Sequence, residues 1–139
     1  MRTTLSIIES LIFLILAGVH FNWMLGGKFG FDIAVPTNEA GKRMLNPGKW
    51  DTSIVGFGLL MLGLFFLAKG GLIDVSLPAW IDKYGGYAIS AVFLLRAVGD
   101  FNYVGFFKKP RTTKFARLDS QVFSPLCLLL ALIGLFLSI

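Results

Sequence analysis

The chain has 139 residues, of which 55% are hydrophobic and only 15% charged, with a net charge of +5. Its mean hydropathy of +0.75 lies far above that of a soluble domain of this length, which argues against a water-soluble bundle and for one integral membrane domain over residues 1–139. Cys127 is the only cysteine, so an internal disulfide and dithiol redox chemistry within one chain are excluded. Its apolar surroundings make it a small packing residue.

A membrane-spanning helix needs about 20 predominantly apolar residues. Four segments qualify: Leu5–Leu25, Thr52–Lys69, Gly86–Phe107 and Ser120–Ile139. The first resembles a signal peptide, with Arg2, an apolar run and the small pair Ala17-Gly18. Glu9 interrupts that run, and the segment has an intact partner inside the chain, so a retained helix is expected. Gly26-Gly27 close it, as glycine does beyond a helix end. A long polar loop follows to Asp51, with Pro36 and Asn46-Pro47-Gly48 and no helical period. The second span is expected to start with Asp51 or Thr52 as its N-cap. Its glycines Gly56, Gly63 and Gly70 recur every seven residues, which predicts close approach of another helix. Trp80, Tyr84 and Tyr87 read as an interfacial aromatic belt around the loop Gly70–Gly85, with Trp23, Trp50 and Tyr103 as its counterpart. The third span carries charges and is the least regular. The fourth is placed near Asp119, because a start at Ser124-Pro125 leaves a helix of only about 22 Å at roughly 1.5 Å per residue.

Residues 10–23 (SLIFLILAGVHFNW) and 90–103 (SAVFLLRAVGDFNY) align without a gap. Ser10/Ser90, Phe13/Phe93, Leu14/Leu94, Ala17/Ala97, Phe21/Phe101 and Asn22/Asn102 are identical, and Lys28 and Lys108 fall at the same offset. Weaker likeness extends into the following helices, where Asp51 corresponds to Asp119. The expected fold is therefore all-α: a membrane-spanning four-helix bundle of two tandem αα-hairpin repeats, about 1–70 and about 86–139. Repeats of this kind frame sites in transporters.

Basic residues concentrate in two loops. Lys28, Lys42, Arg43 and Lys49 lie in one, and Lys108, Lys109, Arg111, Lys114 and Arg117 in the other; Arg2, Lys69 and Lys83 are left for the opposite side. The positive-inside rule puts loops 26–51 and 108–119 in the cytoplasm and both termini outside. Anionic headgroups account for such loops between spans, so no nucleic-acid partner is expected.

The polar residues gather at one expected depth. His20, Trp23, Trp50, Asp51, Arg96, Asp100, Tyr103 and Asp119 form the candidate ligand-binding set. Arg96, Asp100 and Tyr103 share a helical face at i, i+4 and i+7. An unpaired arginine inside a membrane costs at least about 2.5–3.5 kcal/mol, so Asp100 or Asp119 is its natural partner. That pair reads equally as a site or as a staple between helices. His20 suits a proton relay or a neutral hydrogen bond to Asp51 or Asp100. Glu9 either lines a proton path with His20 or reaches the outer interface and pairs with Lys69 or Lys83. No close ligand spacing supports a metal, no nucleophile or nucleotide motif is present, and no cofactor is identifiable.

Three blocks carry a resemblance: His20-x-x-Trp23-x-x-Gly26-Gly27, Leu95-Arg96-Ala97-Val98-Gly99-Asp100-Phe101-x-Tyr103-x-Gly105, and Phe115-Ala116-Arg117-Leu118-Asp119 with Ser124-Pro125-Leu126. On these the chain is similar to a family of small bacterial four-helix membrane proteins, a domain of unknown function. The resemblance implies a multi-pass protein of the bacterial cytoplasmic (inner) membrane and brings no catalytic or binding residues. Three functions stay open. One is binding or transport of a small or amphipathic, anionic ligand. The second is a non-catalytic partner subunit, as a homo-oligomer or beside another membrane protein. The third, an intramembrane enzyme using His20 and Asp100, has the least support.

Overall fold

The computed structural model describes residues 1–139. The regular elements of the chain are all helices, with an isolated antiparallel bridge between Thr37 and Arg43. Its helices are α1 (Arg2–Met24), α2 (Phe31–Ala34), α3 (Lys49–Lys69), α4 (Ala79–Val98) and α5 (Lys114–Ser138). Three of them, α1, α3 and α5, are long and apolar enough to cross a membrane. The 20 residues of α4 include Asp82, Lys83 and Arg96, which lower its apolar character.

Two compact units form. The first comprises residues 1–29, 47–89 and 133–139, and the second residues 30–46 and 90–132.

The first unit is built on α1 against α3. Phe13, Ala17, Leu59, Phe65 and Phe66 are buried, and the Phe13 and Phe66 rings stack at 5.9 Å. The glycine stripe of α3 is consumed here. A Cβ on Gly56 would lie 3.0 Å from Phe21 Cε1, one on Gly63 3.0 Å from Leu14 Cδ2, and one on Gly70 2.7 Å from Ser6 Cβ. Ser10 Oγ donates to the Gly63 carbonyl at 2.8 Å, a bond that close backbone approach permits. On α4, Gly85 is equally close to the Phe65 ring, and Lys69 Nζ bonds the Asp82 carbonyl at 2.9 Å.

The second unit contains the last turns of α4, the loop 99–113 and most of α5. Helix α5 starts at Lys114, with Thr113 Oγ1 accepting the Ala116 N–H at 3.0 Å. This corrects the expected start near Asp119. The helix continues through a widened π-helical turn, Asp119–Phe123, to the segment Ser124–Ser138. Such a turn accommodates Pro125, which has no N–H to give to the preceding turn.

Two further boundaries differ from expectation. Helix α3 begins at Lys49, and Asp51 sits at its third position, with Oδ2 accepting the Gly48 N–H at 2.7 Å. Helix α4 covers Ala79–Val98 instead of running to Phe107, so Trp80 and Tyr84 lie within it. It ends because Gly99 takes a φ of 88° and Asp100 captures the following amides. Trp50, Trp80 and Tyr84 are exposed, as interfacial aromatics are.

Candidate functional site

The predicted set divides between the units. In the first, His20 Nδ1 donates to the Leu16 carbonyl of its own helix at 2.8 Å, in place of the expected bond to an aspartate. The His20 and Trp23 ring centroids are 4.7 Å apart, and Trp23 Nε1 donates to the Phe29 carbonyl at 2.6 Å. These contacts tie the end of α1 to the loop that follows. Trp50 is 83% exposed, and Asp51 serves α3 as a first-turn acceptor.

In the second unit, Asp119 is the centre. Its carboxylate is completely buried. Oδ1 accepts from Arg96 Nη2 at 2.8 Å. Oδ2 accepts from the Gly105 backbone N–H at 2.8 Å and from Ser124 Oγ at 3.2 Å, and lies 3.0 Å from Lys108 Nζ. Lys108 Nζ also bonds the Gly105 carbonyl and Ser120 Oγ. Arg96 therefore pairs with Asp119, not Asp100. Two cations meet one carboxylate, which leaves the cluster with one excess positive charge. Lys108, expected with the other basic residues of its loop to serve topology and headgroup contact, has a side chain only 1% exposed.

Asp100 instead shapes the loop. Its Oδ1 accepts from the backbone N–H groups of Asn102, Tyr103 and Val104 at 2.9, 2.8 and 3.0 Å. Burial works to raise its carboxyl, and the Val104, Asn102 and Tyr103 amides more than offset that, holding it below the ordinary 3.8. The Lys109 N–H then closes on the Asn102 carbonyl at 2.9 Å. The loop is thus pinned from beneath by Asp119 and from within by Asp100.

This pinned loop forms one wall of a groove of about 490 Å³, lined by Asn38, Glu39, Asn102, Tyr103, Lys109 and Pro110. Its volume is in the roughly 300–1,000 Å³ range of small-molecule sites. Of the predicted residues only Tyr103 lines it; Arg96, Asp100 and Asp119 support it. The segment 38–40 carried no signal in the sequence beyond belonging to the long loop. It enters because the Thr37–Arg43 bridge and the Asn38 Oδ1 contact with the Lys42 N–H fold it back on itself. No cluster of three or more His, Cys, Asp or Glu side chains suited to a metal is present.

No curated protein matches the chain, and no solved structure does. The model of one family, described as "Protein of unknown function (DUF3995)", matches residues 13–134. That stretch covers the α1–α3 core, the pinned loop and its groove. The chain belongs to this family of uncharacterised proteins.

Proposed function

We propose that the chain is a multi-pass protein of the bacterial cytoplasmic membrane that binds a small or amphipathic anion in the groove of its basic loops. The observation that carries this reading is a groove lined by Lys109 and Tyr103, with Glu39 as its one carboxylate, on a loop held by a fully buried carboxylate. A buried ion cluster is expensive to build, and a loop fixed by one presents its side chains in a defined geometry. Lys42, Arg43, Arg111, Lys114 and Arg117 in the same unit are exposed and draw anions toward it.

The topology behind this reading has four spans. If α4 did not cross, α5 would begin outside and carry Lys108–Arg117 with it, against the positive-inside rule. With α4 crossing, loops 26–51 and 108–119 are cytoplasmic and both termini lie outside. At about 1.5 Å per residue, α4 is long enough to span the hydrocarbon core. Its charges fall in its first two turns and its last, and Arg96 has its carboxylate. The glycine stripe and Arg96, the features best suited to dock a partner subunit, are both engaged within the chain.

Native mass spectrometry of detergent-purified protein tests the binding reading. The expected spectrum holds a co-purified adduct that is lost in Tyr103→Ala and in Lys109→Glu, while both variants stay monodisperse. Oleate, as an amphipathic anion, is expected to raise the melting temperature of the parent and not of Lys109→Glu. A bare parent chain with no oleate-dependent stabilisation sinks the reading.

A further inference from the structure

Glu9 lies in the middle of the buried stripe of α1, with Ser6, Ser10, Phe13 and Ala17. It is one of the largest completely buried side chains of the protein, at 0% exposure. Neither carboxyl oxygen has a hydrogen-bond partner. The polar groups nearest along its own helix are not donors to it: Ser10 Oγ gives its hydrogen to the Gly63 carbonyl. The expected partners are engaged as well. Lys69 bonds the Asp82 carbonyl and lies 3.5 Å from its carboxylate. Lys83 sits over the Tyr84 ring, and Arg2 over the Phe136 ring. His20, lower on α1, is bonded to Leu16. The α5 residues of this unit, Ile133–Ile139, carry no ionisable side chain. The charged side chains of this unit besides Glu9 are Arg2, Lys28, Lys49, Asp51, Lys69, Asp74, Asp82 and Lys83, and none of them bonds to either Glu9 oxygen.

An ionised carboxylate sealed in an apolar setting without donors carries a large desolvation cost, and such a group neutralises instead. No exposed surface at Glu9 admits a water or a metal ion. A proton needs neither space nor further ligands. We propose that Glu9 is an intramembrane proton-binding site, a neutral carboxylic acid in the resting fold that exchanges its proton when the seam between α1 and α3 opens. This site is independent of the groove and of any ligand there. At the same offset, just before the second repeated segment, stands Ile89: an apolar side chain occupies that position, and a neutral acid is the nearest ionisable substitute for one.

The chain has only two glutamates, Glu9 and Glu39, so selective labelling isolates the site. In protein grown with side-chain carboxyl ¹³C-glutamate, two carboxyl resonances are expected. Glu39→Gln, in the exposed loop, removes one of them and assigns the other without touching Glu9. At pH 7 the Glu9 resonance is expected at the position of a protonated acid, while an ionised Glu9 overturns the proposal. Thermal denaturation supplies a second readout. Glu9→Gln, which keeps the shape of the neutral acid, is expected to melt within a few degrees of the parent, and Glu9→Ala well below it. Equal losses in the two variants also overturn it.

Discussion

The two copies of the repeated segment, 10–23 and 90–103, share six identical residues and end differently. The first stays helical through Phe21-Asn22-Trp23 and stops at Met24, where Gly26 turns with a φ of 92° and the Gly27 N–H returns to the Asn22 carbonyl at 2.8 Å. The second leaves the helix at Val98, so that Phe101-Asn102-Tyr103 lie in a loop, Phe101 with a φ of 61°. The shared residues do not decide this. The differing ones do: Val19 and His20 in the first copy stand where Gly99 and Asp100 stand in the second. A histidine that donates to its own helix lets the helix continue. A glycine with positive φ followed by an acceptor for three amides stops it. Lys28 is exposed at the offset where Lys108 is buried against Asp119. Sequence likeness therefore does not carry a shared backbone to the end of the segment, and Gly99 and Asp100 turn a helix end into a loop-borne groove wall.

The largest way to break this contrast is to remove the anchor that only the second copy has. Asp119→Ala leaves Arg96 and Lys108 without their carboxylate, and breaking a buried pair in this way costs about 3–5 kcal/mol. A sharp fall in the chemical denaturation midpoint is expected, together with loss of any oleate response. The matching change in the first copy, Asp51→Ala, removes one exposed helix-start acceptor and is expected to cost only about 1 kcal/mol.

Glycine replacement separates the two turns next. A Cβ on Gly99 collides with the Val104 carbonyl, and residues forced into such backbone cost about 1–3 kcal/mol. Gly26 has a comparable φ and open space around it, so Gly26→Ala carries only the backbone term of about 1–2 kcal/mol. Thermal melts of the two variants side by side test the difference, and equal losses would show that the loop relaxes freely.

Acid sharpens the comparison at Asp100. Its carboxyl is held below 3.8 in the folded chain, so the folded form binds the proton less readily than the unfolded one. The stabilisation is fully present above 3.8 and is lost as pH falls through the lower folded value. Asp100→Asn is expected to flatten this acid loss, read from melting temperatures between pH 5 and the acid limit of folding.

The smallest expected effect lies in the first unit. Ser10→Ala removes one interhelical hydrogen bond, and bonds of this type within membranes average about 0.6 kcal/mol. A larger loss would mean that Ser10 also orients Glu9, its neighbour on α1.

Several features were legible in the residues alone because they depend on local composition. Apolar runs announce α1, α3 and α5, since a bilayer solvates only uninterrupted apolar surface. The stripe Gly56, Gly63, Gly70 announced close packing, and α1 supplies the partner. Thr113 before Lys114-Phe115-Ala116 was an available N-cap signal for the start of α5, masked by the more prominent Asp119. Helix α4 differs from expectation at both ends because charges near its termini hide a helix whose middle is apolar.

What the sequence by itself determined is the helical class, the helices apolar enough to cross a membrane and the presence of a few polar residues that an apolar chain must neutralise. Hydrophobic burial and backbone satisfaction depend on composition and spacing, so they can be read without coordinates. What only the tertiary structure decided is the pairing. Arg96 chose Asp119 over Asp100, Lys108 turned inward to join them, Asp100 turned to its own backbone, and Glu9 was left with no partner. Electrostatic partners are selected by distances of a few ångströms between segments far apart in the chain, and no local pattern encodes those distances.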